Sequence, residues 1–192
     1  MDAHAKPRPW RCSPAGFDGH RTRRGYGKAG LECDRNRRCR LKLWRVTSRK
    51  WALDKLCDGA RQSGGRWNPI GYPAMYAGPN IEICALEKFV HLGSAVHPPL
   101  VVVSIDVPDD KDLYIQPAIK DLPADWAELP SPPSAQEFGR QWLDAKKQLV
   151  MFLPSAVIPE TANALINPHH PAYAKVSLTI VRDFTFDARM FK

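Results

Sequence analysis

The alternation of apolar and polar residues predicts β-strands in several parts of the chain. From Leu41, the segment LKLWRV alternates apolar and basic residues, which predicts a first strand with Leu41, Leu43 and Arg45 on one face. The β-branched run LVVVSIDVP at 100–108 is typical of a central strand that is covered on both faces. Further strands are predicted at 75–77, at 148–153 and, as one or two closing strands, within 174–187.

Apolar residues at helical spacing predict three helices. The first covers 51–60, where Leu53, Leu56 and Cys57 lie at positions i, i+3 and i+4. The second begins after the predicted N-cap Asn80 and runs to about residue 92, and the third covers 135–146. The Pro-rich segment 117–134 is predicted to be a long surface connection with Trp126 as its anchor.

The segment from Gly64 to Glu87 combines turn residues with side chains that carry chemistry. Its glycines and prolines predict tight turns that hold Arg66 and Tyr76 in fixed directions. Glu87 falls on the apolar face of the second helix, where a carboxylate is costly unless it is paired or used. Two interpretations stay open: a structural ion pair with Arg45 or Arg66, or a catalytic or ribose-binding glutamate.

The charge of the chain is concentrated before the first predicted strand. The 192 residues carry a net charge of +8, and residues 1–41 hold 11 Lys or Arg against 4 Asp or Glu. This segment has few aliphatic residues and no periodicity, which predicts a disordered basic arm at 1–40 and a folded domain at 41–192. An upstream start codon is an alternative origin of the arm. No apolar run approaches the roughly 20 residues of a membrane span, so we expect a soluble protein.

Three weaker signals are open to more than one interpretation. A zinc site from Cys33 and Cys39 with His20 is conceivable, but the spacing lacks the close pairs typical of zinc ligands, and we predict no metal site. The basic arm favours salt-dependent binding to nucleic acid, but it lacks interleaved aromatic residues. Ser155, after a predicted strand, is either a turn or capping residue or a substrate-binding hydroxyl.

Several short motifs, taken in order, resemble the RES domain, which is the toxin half of the RES/Xre toxin–antitoxin modules of bacteria. The matching pieces are Trp44-Arg45, Gly65-Arg66-Trp67-Asn68, Tyr76, Ala85-Leu86-Glu87, Pro154-Ser155-Ala156-Val157 with Pro159, and Asn163 through Asn167-Pro168. The resemblance extends from about residue 41 to residue 190. It implies an α+β fold like that of ADP-ribosyltransferases, with a mixed β-sheet core and flanking helices.

The resemblance also implies an enzyme that consumes NAD by hydrolysis or by phosphorolysis, with protein ADP-ribosylation as the alternative. NAD would be the substrate, with inorganic phosphate as a second substrate, and no cofactor is expected. The implied partner is an Xre-family helix-turn-helix antitoxin, and the implied location is the cytoplasm. Nucleic acid would be reached only through this antitoxin.

Carried onto this chain, the site implied by the resemblance consists of Arg45, Arg66, Tyr76, Glu87 and Ser155. The two arginines suit a pyrophosphate, because each guanidinium offers paired donors and a permanent charge. Tyr76 would stack on the nicotinamide or ribose and donate its hydroxyl. Glu87 would stabilise the positive charge that develops on the ribose, and Ser155 would position the substrate without acting as a nucleophile.

Overall fold

A computed structural model describes residues 31–33, 39–92 and 98–191, and these residues form two four-stranded sheets. The first sheet has the order β1-β2-β4-β8 and is antiparallel throughout. The second has the order β3-β7-β6-β5, in which only the β5–β6 pair is parallel. The strands are β1 (Leu31–Cys33), β2 (Cys39–Ser48), β3 (Met75–Ala77), β4 (Leu100–Pro108), β5 (Tyr114–Ile115), β6 (Val150–Pro154), β7 (Ala162–Ile166) and β8 (Ser177–Phe184).

Three α-helices and several short 3-10 helices connect these strands. The α-helices are α1 (Asp58–Ser63), α2 (Ile81–Val90) and α3 (Pro133–Ala145). The 3-10 helices are Arg49–Trp51, Lys111–Leu113, Ile119–Asp121, Pro171–Lys175 and Ala188–Phe191. No helix in the described ranges has the length and apolar character that are needed to cross a lipid bilayer.

The strand pattern produces a layered core, because successive side chains point to opposite faces of a sheet. In β4, Val101 and Val103 belong to the main core cluster shared with the second sheet, whereas Leu100 and Val102 pack in a cluster with α2 residues. In β6, Val150 and Phe152 face the main core, and Met151 and Leu153 belong to a third cluster with Trp142 and Leu143 of α3. The prediction that 100–108 is a strand covered on both faces is therefore confirmed.

The N-terminal boundary and the first helix differ from the sequence prediction. The folded part begins before Leu41, because β2 starts at Cys39 and pairs with Leu31–Cys33. The remainder of the predicted disordered arm, with His20, lies outside the described residues. The predicted helix at 51–60 is wrong: Leu53 and Leu56 are exposed in turns, and the α-helix begins only after Cys57, whose φ of 55° interrupts regular helix.

Two backbone hydrogen bonds join β2, next to Arg45, to the turn that precedes α2. The N–H groups of Trp44 and Gly78 each donate to the carbonyl of the other residue at 2.8 Å. Gly78 has no room for a side chain, because a Cβ there would lie 2.7 Å from Ile83 Cγ2 and 2.8 Å from Cys84 Sγ. These contacts fix the start of α2 against β2, next to Arg45.

Candidate active site

Glu87 is presented by α2 toward the ends of two strands of the second sheet. The helix starts as predicted, because Asn80 Oδ1 accepts a hydrogen bond from the N–H of Ile83 at 2.9 Å. Ile83 and Cys84 bury the helix against β2 and β4, and Glu87 lies half-buried one turn further on. Its Oε1 accepts hydrogen bonds from Ser155 Oγ at 2.7 Å and from Asn163 Nδ2 at 2.5 Å.

Ser155 follows β6 directly, and its side chain is fully buried. Its Oγ accepts the backbone N–H groups of Val157 at 3.0 Å and Ile158 at 3.1 Å. Both lone pairs of the hydroxyl are therefore occupied, and its proton is donated to Glu87. Ser155 caps a turn, as the commoner interpretation of the sequence held, and it also holds the carboxylate.

Asn163 reaches the same carboxylate oxygen from β7. It lies opposite Leu153 in the antiparallel β6–β7 register, so it is close to the end of β6 where Ser155 begins the next turn. A carboxylate accepts hydrogen bonds and donates none when ionised, so the amide presents its NH2 group to Glu87. Among the described residues, Glu87 Oε2 makes no hydrogen bond and Glu87 forms no ion pair.

Arg66 lies close enough to Glu87 for their charges to interact, but it does not form a salt bridge with it. Its Nη1 donates to the backbone carbonyls of Trp126 at 2.7 Å and Glu128 at 2.8 Å. The long connection predicted at 117–134 therefore orients the guanidinium. Burial lowers the pKa of Arg66, and the negative charge of Glu87 opposes that shift. Nη2 and Nε make no hydrogen bond within the described residues, which leaves donors for an anionic ligand.

Tyr76 on β3 holds the backbone segment that carries Arg66. Its hydroxyl accepts the N–H of Trp67 at 3.0 Å and donates to Asn68 Oδ1 at 2.7 Å. The approach is so close that a Cβ on Gly65 would lie 2.5 Å from the hydroxyl oxygen. Burial raises the pKa of Tyr76 well above its ordinary value. The hydroxyl that the sequence assigned to the substrate is thus donated within the protein, while the ring is half-buried.

The helix α3 packs against the same segment, on the face of the second sheet that carries Tyr76. Trp67 stacks on Trp126 with ring centroids 6.1 Å apart, and its edge meets Phe138 at 6.0 Å. Gln136 Nε2 donates to the carbonyl of Gly65 at 3.1 Å. Gly139 allows the helix backbone to reach the Trp67 carbonyl, since a Cβ there would lie 1.9 Å from that oxygen.

Arg45 lies in a different environment from the other four predicted site residues. It shares a strand face with Leu43, and its charge interacts with Cys57, Asp54 and Tyr173. It forms no salt bridge with a carboxylate of the described residues. Its buried Nη1 makes no hydrogen bond in the described part of the chain. Burial lowers the pKa of Arg45 from its ordinary value.

Arg45 also lies within electrostatic reach of α2. Its charge contributes to the lowered pKa of Lys88, whose larger cause is burial. Burial raises the pKa of Cys84 to about 12, and the charge of Arg45 partly opposes this rise. The structure thus brings Arg66, Tyr76, Glu87 and Ser155 together around α2 and the ends of β6 and β7. Arg45 lies on β2 of the first sheet, against which α2 packs.

Sequence reasoning did not assign Asn163, Asn68 or the two carbonyls that bind Arg66 to the site. Asn163 belongs to a motif that was recognised, and the signal for its role is its place in a strand that pairs with the strand before Ser155. Of the two interpretations that the sequence left open for Glu87, an ion pair with Arg45 or Arg66 is not present among the described residues, where the neutral donors Ser155 and Asn163 bind the carboxylate instead.

Comparisons with known proteins identify the family of the chain and agree with its fold. The RES domain model matches residues 42–187. A protein of Sphingobium sp. (strain YBL2) named Prs ADP-ribosylating toxin is 34% identical over 155 residues, which cover 78% of this chain and 96% of that protein. Toxin Res of Photorhabdus laumondii is 32% identical over 154 residues, covering 78% of this chain and 97% of the relative.

A solved structure extends the comparison to three dimensions. A chain in the crystal structure of the M. tuberculosis MbcT–MbcA toxin–antitoxin complex superposes with a TM-score of 0.56 at 19% identity, covering 80% of this chain and 88% of that chain. The fold is the α+β, ADP-ribosyltransferase-like fold with two sheets and few helices. The chain belongs to the RES domain family.

Proposed function

We propose that this protein is the toxin of a toxin–antitoxin pair and that it cleaves the nicotinamide–ribose bond of NAD. The observation that carries the proposal is the Glu87 carboxylate, which is held at one oxygen by Ser155 and Asn163 and lies near the Arg66 guanidinium. Family membership and the relatives named Toxin Res support the toxin assignment.

The proposed reaction breaks the bond between C1′ of the ribose and the pyridinium nitrogen of nicotinamide. The bonding electron pair moves to that nitrogen, so nicotinamide leaves as a neutral molecule and positive charge develops on the ribose. An ionised carboxylate beside the ring stabilises that charge in a site that is pre-organised for it. Water then adds to C1′ and loses a proton, which yields ADP-ribose, nicotinamide and one proton.

The donor set around Glu87 supports its role as a charged acceptor. Ser155 and Asn163 both donate to the same oxygen, so the carboxylate is the acceptor in both hydrogen bonds. The leaving nicotinamide needs no proton, so no general acid is required. Arg66, with Nε and Nη2 available, would bind a phosphate of the dinucleotide, and Arg45 would bind the other.

Two acceptors other than water fit the same chemistry. Inorganic phosphate would add to C1′ and give a phosphorylated ADP-ribose. A protein side chain would add instead in ADP-ribosylation, and this second candidate is favoured by the 34% identity to a relative named Prs ADP-ribosylating toxin. We propose a helix-turn-helix antitoxin as the partner and the cytoplasm, where NAD is abundant, as the place of action.

Incubation of the purified full chain with NAD tests the proposal. We expect release of nicotinamide, with free ADP-ribose in buffer, a phosphorylated product when phosphate is added, and a labelled protein band if a protein is the acceptor. Glu87→Gln keeps the shape of the side chain and removes its charge, so nicotinamide release should fall by about 100-fold or more. Arg61→Ala, which removes an exposed ion pair on α1, is the matched control and should cleave NAD normally. Failure of the wild-type chain to release nicotinamide with or without phosphate and protein acceptors would refute the proposal.

A further inference from the structure

Two donors converge on one oxygen of Glu87, and this asymmetry has a mechanistic consequence. Ser155 Oγ and Asn163 Nδ2 both bind Oε1, at 2.7 and 2.5 Å. Oε2 makes no hydrogen bond within the described residues. A carboxylate that is held at one oxygen cannot rotate freely about its last bond, so the direction of the second oxygen is defined as well.

We propose that Asn163 is a positioning residue that, together with Ser155, holds Oε1 of Glu87 so that Oε2 alone serves the substrate. The inference rests on the proposed function for the identity of that substrate, the ribose of NAD. The Ser155 donor is not free to change partners. The Ser155 hydroxyl already accepts two backbone N–H groups, so it has only its proton to offer.

The backbone gives Asn163 a rigid base for this task. It lies in the β6–β7 ladder opposite Leu153, which is fully buried, and between strand neighbours that pack in the core. Glu87, by contrast, is on a helix of another layer, 76 residues away in sequence. The hydrogen bond therefore joins α2 to the second sheet at the point where the chemistry would occur.

Two substitutions at this position separate the loss of a donor from the introduction of a charge. Asn163→Ala removes the donor, and we expect kcat for NAD cleavage to fall on the order of 10- to 100-fold with little change in KM, because a misplaced carboxylate affects the transition state most. Asn163→Asp keeps the shape but places a second carboxylate against Glu87, so the loss at neutral pH should be larger.

The pH dependence of Asn163→Asp distinguishes positioning from a general structural role. Two carboxylates within hydrogen-bonding distance share a proton as the pH falls, and the protonated aspartic acid can donate to Glu87 again. Measured as a ratio to the wild-type chain at each pH, activity should recover by roughly 10-fold between about pH 7 and pH 5. Thr161→Ala removes a hydroxyl that donates to Ile158 in the same turn, and this control should retain wild-type activity.

A stability measurement makes the inference independent of the proposed activity. Unfolding by urea is followed for Asn163→Ala, Glu87→Ala and the double variant, and the two substitutions should be non-additive because they remove the same contact. If the wild-type chain cleaves no NAD but the two sites are coupled, the proposed function fails and the contact stands. Additive effects on stability, or a folded Asn163→Ala with wild-type kcat, would overturn the inference, and so would a loss in Asn163→Asp that is the same at every pH.

Discussion

The close approach of α3 to the segment that carries Arg66 leads to a prediction for Gly139. A Cβ at this position would lie 1.9 Å from the Trp67 carbonyl oxygen, which is 1.5 Å short of the 3.4 Å at which ordinary contact begins. It would also lie 2.7 Å from the carbonyl carbon. Because the obstacle is backbone, rotation of a side chain cannot relieve the overlap.

Two opposing effects decide whether Gly139→Ala stabilises or destabilises the folded chain. Alanine is favoured over glycine in a helix interior by about 1 kcal/mol. Overpacking of a core typically costs about 1–3 kcal/mol, and an overlap with backbone belongs at the upper end of that range. Trp67 cannot retreat, because it is 4% exposed and packs between Trp126 and Phe138. We therefore expect a net loss of about 2 kcal/mol in the free energy of unfolding.

Urea denaturation of the wild-type chain, Gly139→Ala and Gly59→Ala measures the effect. Gly59 in α1 is the matched control, because its Cβ would meet nothing nearer than the Trp51 ring at 3.6 Å, and alanine there should be neutral or stabilising by up to about 1 kcal/mol. NAD cleavage should also fall in Gly139→Ala, since Arg66 adjoins the displaced residue. The packing argument is refuted if Gly139→Ala is as stable as Gly59→Ala.

Three further predictions follow from the hydrogen bonds and the buried thiols. Tyr76→Phe leaves the N–H of Trp67 and the amide of Asn68 without their shared partner, so urea denaturation should show a loss of about 1–3 kcal/mol. Arg66→Lys replaces three donor nitrogens in a fixed plane by one, which cannot bind both carbonyls and still give a phosphate a paired contact, and kcat/KM for NAD should fall about 10- to 100-fold. Burial raises the pKa of Cys84 from 9.0 to about 12, so the folded chain retains that proton and its stability falls as the pH rises above about 9, by about 1.4 kcal/mol per pH unit for this group. In Cys84→Ala this contribution to the fall in unfolding free energy should be absent when urea denaturation is measured between about pH 9 and pH 11.

Each of these predictions has an outcome that contradicts it. A Tyr76→Phe variant with wild-type stability would mean that the two partners are satisfied in another way. Equal kcat/KM values for Arg66→Lys and the wild-type chain would show that the paired guanidinium donors are dispensable. If the free energy of unfolding of Cys84→Ala falls with pH as steeply as that of the wild-type chain, the slope belongs to other groups. Cys57 is one of them, because burial raises its pKa to about 11.

The sequence pattern predicted an element correctly where the local preferences of its residues agree with their surroundings in the folded protein. The run at 100–108 is β-branched and apolar, and it forms a central strand with both faces buried. Asn80 caps α2 because its side chain reaches an N–H only three residues away. The helix predicted at 51–60 failed because an apolar spacing does not show whether a surface exists to cover it, and Leu56 is 72% exposed.

The motifs identified segments that meet in the structure but did not reveal the contacts between them. Arg66, Tyr76, Glu87 and Ser155 come together in the structure, yet their roles in substrate binding stay predictions. The sequence left Glu87 between an ion pair and a functional carboxylate, and it offered no sign that neutral donors would satisfy it. Arg45 follows its strand alternation correctly, but the alternation could not show that its buried Nη1 would have no hydrogen-bond partner among the described residues.

For this protein, the order of residues was enough to define the strand at 100–108, the start of α2 and the residue types that carry charge. These properties depend on interactions within a few residues. Which oxygen of Glu87 is bound, and which is left available, is decided by Ser155, 68 residues away, and by Asn163, 76 residues away. Such contacts arise only when the β6–β7 ladder and α2 are packed together, because strand register and layer packing bring distant residues to one point.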